Sequence, residues 1–218
     1  MRYISTRGRG APVTAAEAFL TGLAPNGGLY LPDEFPVGKG APLGDRKISY
    51  QQLAAEILGL FLSDYSRTEL EDCLRQAYGS NFDTPAVTPV TMVRDHLGFL
   101  ELWHGPTCAF KDVALQLLPH LMRMAVSKTG LEQEVVLLVA TSGDTGKAAL
   151  EGFRDVPGTK VIVFYPADGV SVVQERQMVT QEGANTFVAG VRGNFDQAQA
   201  GVKALFTAVD FQRELAAA

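Results

Sequence analysis

The sequence has few of the residues that build disulfide frameworks and metal centres. Its 218 residues include only two cysteines and three histidines. Cys73 and Cys108 lie in unrelated contexts without a CxxC spacing, so we expect two reduced thiols and no structural disulfide or zinc site. The histidines are too scattered along the sequence to indicate a metal cluster.

Long hydrophobic runs and basic clusters are also missing. No segment is long and apolar enough to span a membrane, and the first ten residues carry three arginines without the apolar core of a secretory signal. The formal net charge is -5, and no basic run is long enough to follow a phosphate backbone. We therefore expect a cytoplasmic protein that binds neither membranes nor nucleic acid. The sequence does not indicate an oligomeric state.

The first part of the chain has the pattern of an α+β unit. Hydrophobic residues make up 46% of the sequence and charged residues 20%, which is typical of a globular protein. Thr14 and Glu17 stand at the two positions of a helix capping box, and a helical spacing of apolar residues follows Ser49. Pro89 lies in a polar stretch that indicates a boundary. We predict an α+β subdomain over residues 1–89.

The remainder, residues 90–218, alternates between strand and helix after a predicted strand pair. Such alternation predicts βαβ units and a mostly parallel sheet with helices on both faces, so the fold class is α/β. Ligands in such sheets bind at the carboxyl ends of the strands. Pro119 predicts a kink in the first long helix, or a later start of that helix. The predicted strands cover 135–140, 160–165 and 186–191, and the predicted helices cover 109–128, 145–153, 172–182 and 196–208.

One loop places a lysine in the opening turn of a predicted helix. Residues 104–112 read His-Gly-Pro-Thr-Cys-Ala-Phe-Lys-Asp, with Thr107 as a predicted N-cap. The positive charge of Lys111 there opposes the helix macrodipole, which costs a few tenths to about 1 kcal/mol and favours the neutral amine. Covalent chemistry with carbonyl compounds needs such an amine. The alternative is a solvated lysine that pairs with Asp112, and spacing alone does not decide between them.

A second loop, residues 140–147, reads Ala-Thr-Ser-Gly-Asp-Thr-Gly-Lys between a predicted buried strand and a helix. Hydroxyls, glycines and free amides at a helix N-terminus can bind a carboxylate or a phosphate. An ATP phosphate loop is disfavoured, because Thr141 takes the position of its first glycine and Ala148 that of its Ser or Thr. The glycine spacing also disagrees with a dinucleotide fingerprint. The alternative is an ordinary capped turn.

Taken in order, the motifs His-Gly-Pro-Thr-x-Ala-Phe-Lys-Asp and Ala-Thr-Ser-Gly-Asp-Thr-Gly resemble the threonine synthase family. This family belongs to the tryptophan-synthase-β-like, fold type II class of pyridoxal-phosphate enzymes. The segments 1–8, 25–30, 170–178 and 193–196 resemble it as well. The resemblance implies an α+β subdomain followed by a parallel-sheet fold type II domain. That domain is expected to be partial, because the family's glycine-rich loop for the cofactor phosphate comes later than this sequence extends.

The resemblance also implies roles for individual residues. Lys111 would bind pyridoxal 5'-phosphate covalently and move protons between substrate carbons. Asp144 would lie near the hydroxyl of the cofactor ring, and Phe110 would shape the pocket wall. The family reaction converts O-phospho-L-homoserine and water to L-threonine and phosphate, so the expected partner is a phosphorylated amino acid. The residues implied to contact this substrate are Thr107, Thr141, Ser142, Gly143 and Thr145.

Other functions stay open at this point. The chain is expected to be an amino-terminal fragment of a threonine synthase, a lyase of threonine biosynthesis, and to be inactive by itself. A threonine-synthase-like lyase that eliminates phosphate from phosphohomoserine or phosphoserine would share both loops. A non-catalytic module that keeps the motifs is the third possibility. The residues that bind the substrate phosphate cannot be identified from the sequence.

Overall fold

In a computed structural model of the protein, which describes residues 1–8, 10–36 and 48–217, the chain forms two compact units. Unit 1 contains Met1–His104 and Leu117–Glu132, and unit 2 contains Gly105–Gln116 and the chain from Gln133 onward. The boundary proposed after residue 89 differs from this division and stays a prediction about domains. Residue 218, the last residue of the expected fragment, lies outside the described residues.

The elements follow one another in an order close to the predicted one. They are β1 (Tyr3–Ser5), α1 (Ala15–Thr21), β2 (Tyr30–Pro32), α2 (Tyr50–Phe61), α3 (Arg67–Ala77), β3 (Val90–Arg94), β4 (Leu97–Leu100), α4 (Asp112–Leu115), α5 (Leu118–Thr129), β5 (Val135–Ala140), α6 (Asp144–Gly152), β6 (Thr159–Pro166), α7 (Val172–Val179), β7 (Thr186–Val191), α8 (Phe195–Thr207) and α9 (Val209–Ala217).

Unit 1 is a helical layer with two small antiparallel sheets, β1–β2 and β3–β4. Capping boxes begin α1, α2 and α3, and the first is the predicted pair of Thr14 and Glu17. Because each box satisfies amides that the helix cannot, it fixes where the helix starts. Apolar faces of α3 and α5 contribute Leu70, Leu74 and Leu121 to the core. The Tyr65 hydroxyl crosses this core and donates to the Leu121 carbonyl at 2.9 Å.

Unit 2 is built on a parallel sheet in the order β5-β6-β7. Val135 pairs with Thr159, and Val161 pairs with Thr186. Helix α6 connects β5 to β6 and α7 connects β6 to β7, which confirms the predicted alternation and the α/β fold class. The core between sheet and helices contains fully buried Phe153, Leu150, Met178, Val161 and Val163.

The predicted continuous helix over 109–128 is wrong. The chain turns through Lys111, forms the single turn α4 and starts again as α5 at Leu118. Pro119 lies in the first turn of α5, where the amide that proline lacks would have no partner in the helix. The later helix start expected from Pro119 is therefore confirmed.

Among the described residues, no helix combines the length and the apolar character that crossing a bilayer requires.

Candidate active site

The predicted site residues all lie in unit 2, and Lys111 occupies the last position before α4. Its side chain is half-buried, and its Nζ lies 4.0 Å from the centroid of the Phe110 ring, which is itself 59% exposed. Within the described parts of the chain, Nζ of Lys111 forms no hydrogen bond or salt bridge. The ion pair with Asp112, considered as an alternative, is therefore not formed.

Thr107 and Asp112 instead bind each other, so the prediction that Thr107 is a helix N-cap is wrong. The Thr107 amide donates to Oδ2 of Asp112 at 2.8 Å, and the Thr107 hydroxyl donates to Oδ1 at 2.7 Å. The helix starts only at Asp112, because Cys108 takes a left-handed conformation with φ of 58° that ends any regular turn begun at Thr107. Asp112 is completely buried, and burial raises the pKa of its carboxyl while the bonds from Thr107 oppose that rise.

The second loop, residues 140–147, is held from its buried side by Thr141. Its buried hydroxyl accepts hydrogen bonds from the amides of Gly143 at 3.0 Å and Gly146 at 2.9 Å. The N-cap residue of α6 is Gly143, which has no side chain to cap the helix. The Thr141 hydroxyl, two residues earlier, therefore does what an N-cap side chain ordinarily does. This threonine is a structural residue of the loop.

The solvent-exposed side of the same loop carries hydrogen-bond donors. The amides of Ser142, Asp144 and Thr145 donate no hydrogen bond to any described residue, and all three residues are exposed. They stand at or just before the N-terminus of α6, where the helix dipole adds positive potential. Together with the Ser142 and Thr145 hydroxyls they can bind a small anion such as a carboxylate.

Gln174 is a residue of this region that was not predicted. Its Nε2 donates to Oδ1 of Asp144 at 2.8 Å, while its Oε1 accepts the Ser171 amide in the capping box of α7. A Cβ on Gly143 would lie only 2.5 Å from Nε2 of Gln174, so glycine is required for the amide to lie there. The available signal was the helix-start spacing of Ser171 and Gln174, but that spacing does not indicate contact with a loop 30 residues earlier.

Helices α4 and α6 bring the two loops into the same part of unit 2. A Cβ on Gly152 of α6 would collide with the Leu115 carbonyl of α4, so the two helices touch through this glycine. Lys111 precedes α4 and the Thr141 loop precedes α6. The contacts of the described residues include no direct bond between the Lys111 side chain and that loop. The catalytic and binding roles expected for the site residues stay predictions.

The fold and the site together define the class of the protein. It is an α/β protein with a parallel sheet, a loop that carries a lysine and a second loop that can bind an anion. A family model described as "Threonine synthase N terminus" matches residues 2–78. The threonine synthase of Pseudomonas aeruginosa is 39% identical over 208 residues, which are 94% of this chain and 44% of that protein. Human "Threonine synthase-like 2" is 36% identical over 98% of this chain and 44% of its own length.

A solved structure agrees with these sequence relatives. The crystal structure of pyridoxal-phosphate-bound threonine synthase from Brucella melitensis has a TM-score of 0.86 and 38% identity, and it covers 99% of this chain and 46% of that one. Over nearly its whole length the chain is thus similar to the amino-terminal part of these threonine synthases, which confirms the resemblance of its motifs. It spans less than half the length of the curated relatives it matches.

Proposed function

We propose that the chain supplies the lysine and the substrate-carboxylate loop of a threonine synthase. This pyridoxal-phosphate-dependent lyase would convert O-phospho-L-homoserine and water to L-threonine and phosphate. The observation that carries the proposal is the state of Lys111: a half-buried amine beside an aromatic ring, without an anionic partner among the described residues. The proposal includes a cytoplasmic location, which fractionation of cells that express the protein would test.

The residues present fit the cofactor at its aldehyde and the substrate at its carboxylate. When bound, pyridoxal phosphate serves as an electron sink for carbanions. Lys111 would hold the cofactor and carry protons between substrate carbons, because no carboxylate of a described residue pairs with its amine. The exposed amides of Ser142 and Thr145 would bind the substrate carboxylate. Phe110 would border the cofactor through its exposed ring.

Asp144 and Thr107 have more restricted roles in this proposal. Gln174 occupies Oδ1 of Asp144, so Oδ2 is the oxygen left to face the hydroxyl of the cofactor ring. Thr107 uses its hydroxyl proton on Asp112, so it can only accept a hydrogen bond from a substrate. Thr141 and Gly143 would act through the shape of the loop, since both are buried.

The test is to add pyridoxal phosphate, reduce with borohydride and map the modified lysines by mass spectrometry. We expect Lys111 to be modified in preference to Lys160, which pairs with Glu134 at 2.6 Å on the surface. Lys111→Ala should abolish the visible absorption band of lysine-bound cofactor, and Lys160→Ala should leave it unchanged. A band that survives Lys111→Ala would contradict the assignment.

A second candidate is a threonine-synthase-like phospho-lyase. It is favoured by the 36% identity to human "Threonine synthase-like 2", which is close to that of the named threonine synthases. Product analysis with phosphohomoserine separates the two, because the synthase yields threonine and the lyase yields a 2-oxo acid. Both activities are measured on a chain extended to the length of these relatives, and such a protein that binds no cofactor and forms neither product would favour a non-catalytic module.

A further inference from the structure

Asp112 is a buried carboxylate that follows Lys111 directly in the sequence. Its exposed fraction is 0%, and its hydrogen bonds come from neutral groups of the segment just before it. The like charge of Glu151 raises the pKa of Asp112 further, beyond the larger effect of burial. No described residue forms a salt bridge with it, and a buried carboxylate without a cation is unfavourable, so the chain retains it at a cost to its stability.

The carboxylate closes the turn that leads to Lys111. Both oxygens of Asp112 are bound by Thr107, five residues earlier, one through the amide and one through the hydroxyl. The Asp112 amide donates back to the Ala109 carbonyl at 3.0 Å, which closes a second, smaller turn. Within this closed segment Cys108 keeps its left-handed φ of 58°, a conformation that a non-glycine residue adopts only when its surroundings hold it there.

The backbone of Gly105 lies close against the same carboxylate. A Cβ at Gly105 would lie 2.5 Å from Cβ of Asp112 and 2.6 Å from its Oδ2. No side chain fits at this position, although the backbone of Gly105 does not have the positive φ that usually explains a glycine. The segment from Gly105 to Lys111 is therefore built around the Asp112 side chain.

Lys111 is the residue whose direction this arrangement fixes. Its backbone is held on one side by the closed turn and on the other by the Leu115 amide, which donates to the Lys111 carbonyl at 2.9 Å. Its side chain has no hydrogen bond or salt bridge of its own among the described residues. The position of the amine thus depends on the backbone and on the Phe110 ring.

We infer that Asp112 is the positioning residue for Lys111, and that its carboxylate, through Thr107, fixes the direction in which the reactive amine leaves the backbone. This inference rests on the proposed function, because it assumes that Lys111 is the lysine that reacts with pyridoxal phosphate. The role differs from that of a simple turn residue, because it affects the reactivity of one lysine and not only the stability of unit 2.

The experiment measures borohydride-trapped pyridoxal phosphate at Lys111 relative to Lys160 in the same molecules. Thr107→Val keeps the shape and the amide but removes the hydroxyl, whereas Thr107→Ser keeps both donors. Asp112→Asn keeps the volume and only one acceptor oxygen. Since each change to Val or Asn removes one hydrogen bond, we expect the ratio of Lys111 to Lys160 labelling to fall about fivefold. Thr107→Ser should retain the wild-type ratio.

A buried threonine elsewhere in unit 2 provides the matched control. Thr159 donates its hydroxyl to the Val156 carbonyl at 2.8 Å and accepts a hydrogen bond from Nδ2 of Asn185 at 3.2 Å, so Thr159→Val removes at least as much hydrogen bonding, far along the sequence from Lys111. Thermal unfolding followed by circular dichroism reports the loss of stability in every variant. If Thr107→Val lowers the melting temperature as Thr159→Val does but keeps the labelling ratio, the role is structural only and the inference is overturned.

The outcomes also separate this inference from the proposed function. Wild-type protein that labels Lys111 no better than Lys160 would overturn the proposed function and the positioning role together. Preferential labelling of Lys111 that persists in folded Asp112→Asn and Thr107→Val overturns the positioning role alone. Should Asp112→Asn fail to fold, Thr107→Val decides, because it leaves the carboxylate in place.

Discussion

Replacement of Thr141 by valine should remove the hydrogen bonds that hold the loop after β5, while the side chain keeps its shape. The Thr141 side chain is 1% exposed, and its hydroxyl binds the amides of Gly143 and Gly146 and donates to the Gly143 carbonyl at 3.2 Å. Valine fills the same volume with a methyl group in place of the hydroxyl. Two buried amides then lose their acceptor, and water cannot easily replace it.

The expected magnitude follows from these two amides. A buried donor left without a partner costs about 1–3 kcal/mol, so the pair should cost roughly 2–6 kcal/mol. The added methyl returns about 1 kcal/mol through burial. We therefore expect Thr141→Val to lower the free energy of unfolding by about 1–5 kcal/mol. Thr141→Ser, which keeps the hydroxyl and loses one methyl, should cost only about 1 kcal/mol.

Urea unfolding followed by far-ultraviolet circular dichroism measures both variants against the wild type. Hydrogen exchange adds a local measurement, because the Gly146 amide should exchange faster in Thr141→Val and at the wild-type rate in Thr141→Ser. The reasoning is refuted if valine is as stable as threonine, or more stable than serine. Either result would mean that the two amides find another acceptor.

Two further predictions concern the histidines and Asn185. Hydrogen bonds to Glu101 and Asp83 raise the pKa of His104, whereas burial lowers the pKa of His120. NMR titrations of the two imidazoles should therefore give midpoints on opposite sides of the ordinary histidine value of about 6.5. A shared midpoint would contradict this. Because the His104 pKa is raised on folding, its contribution to stability is complete below the unfolded-state pKa and is lost as the pH rises through the folded-state pKa. His104→Gln should remove that part of the pH profile. Asn185 binds backbone groups at the end of α6 and around the start of β6, so Asn185→Ala should lower the stability by roughly 2–4 kcal/mol, and an unchanged melting temperature would disprove its role.

Local signals in the sequence predicted most of the secondary structure. The strands β5 and β7 have the predicted bounds. A short run that is rich in valine and bounded by turn residues is typical of a buried strand, so its ends can be read from the sequence. The capping box of Thr14 and Glu17 is likewise readable, since both of its residues and their spacing are local. Such features depend on neighbours within a few residues.

The break between α4 and α5 could not be placed with the same means. Apolar residues continue at helical spacing across it, so the pattern favours one long helix. The break falls at Gln116 and Leu117, just before Pro119, which has no amide to donate to the Leu115 carbonyl four residues earlier. The start of α4 is delayed separately, by the left-handed Cys108 and the bond of Thr107 to Asp112. Cysteine has no special tendency to adopt positive φ, so its conformation is decided by the contacts around it.

The parts of the site that were missed depend on residues far apart in the sequence. Gln174 reaches Asp144 only because α6 and α7 lie beside the same sheet. Lys111 itself was a plausible reactive amine from helix position alone, and the order of the motifs made it the leading candidate. Only the three-dimensional structure shows that no carboxylate of a described residue pairs with its amine.

The two units are interleaved along the chain, which has a consequence for how they unfold. Residues 105–116 belong to unit 2, yet they are followed by Leu117–Glu132 of unit 1 before unit 2 resumes. If unit 1 opens, that insertion becomes a flexible loop of roughly 16 residues in unit 2, and its closure carries a length-dependent entropy cost of about 2.5 kcal/mol. Residues 105–116, which include Lys111, would then be joined to the rest of unit 2 only through this flexible loop. Destabilising substitutions in unit 1 should therefore reduce the effective concentration of the lysine at its own site, even where they touch no residue of it.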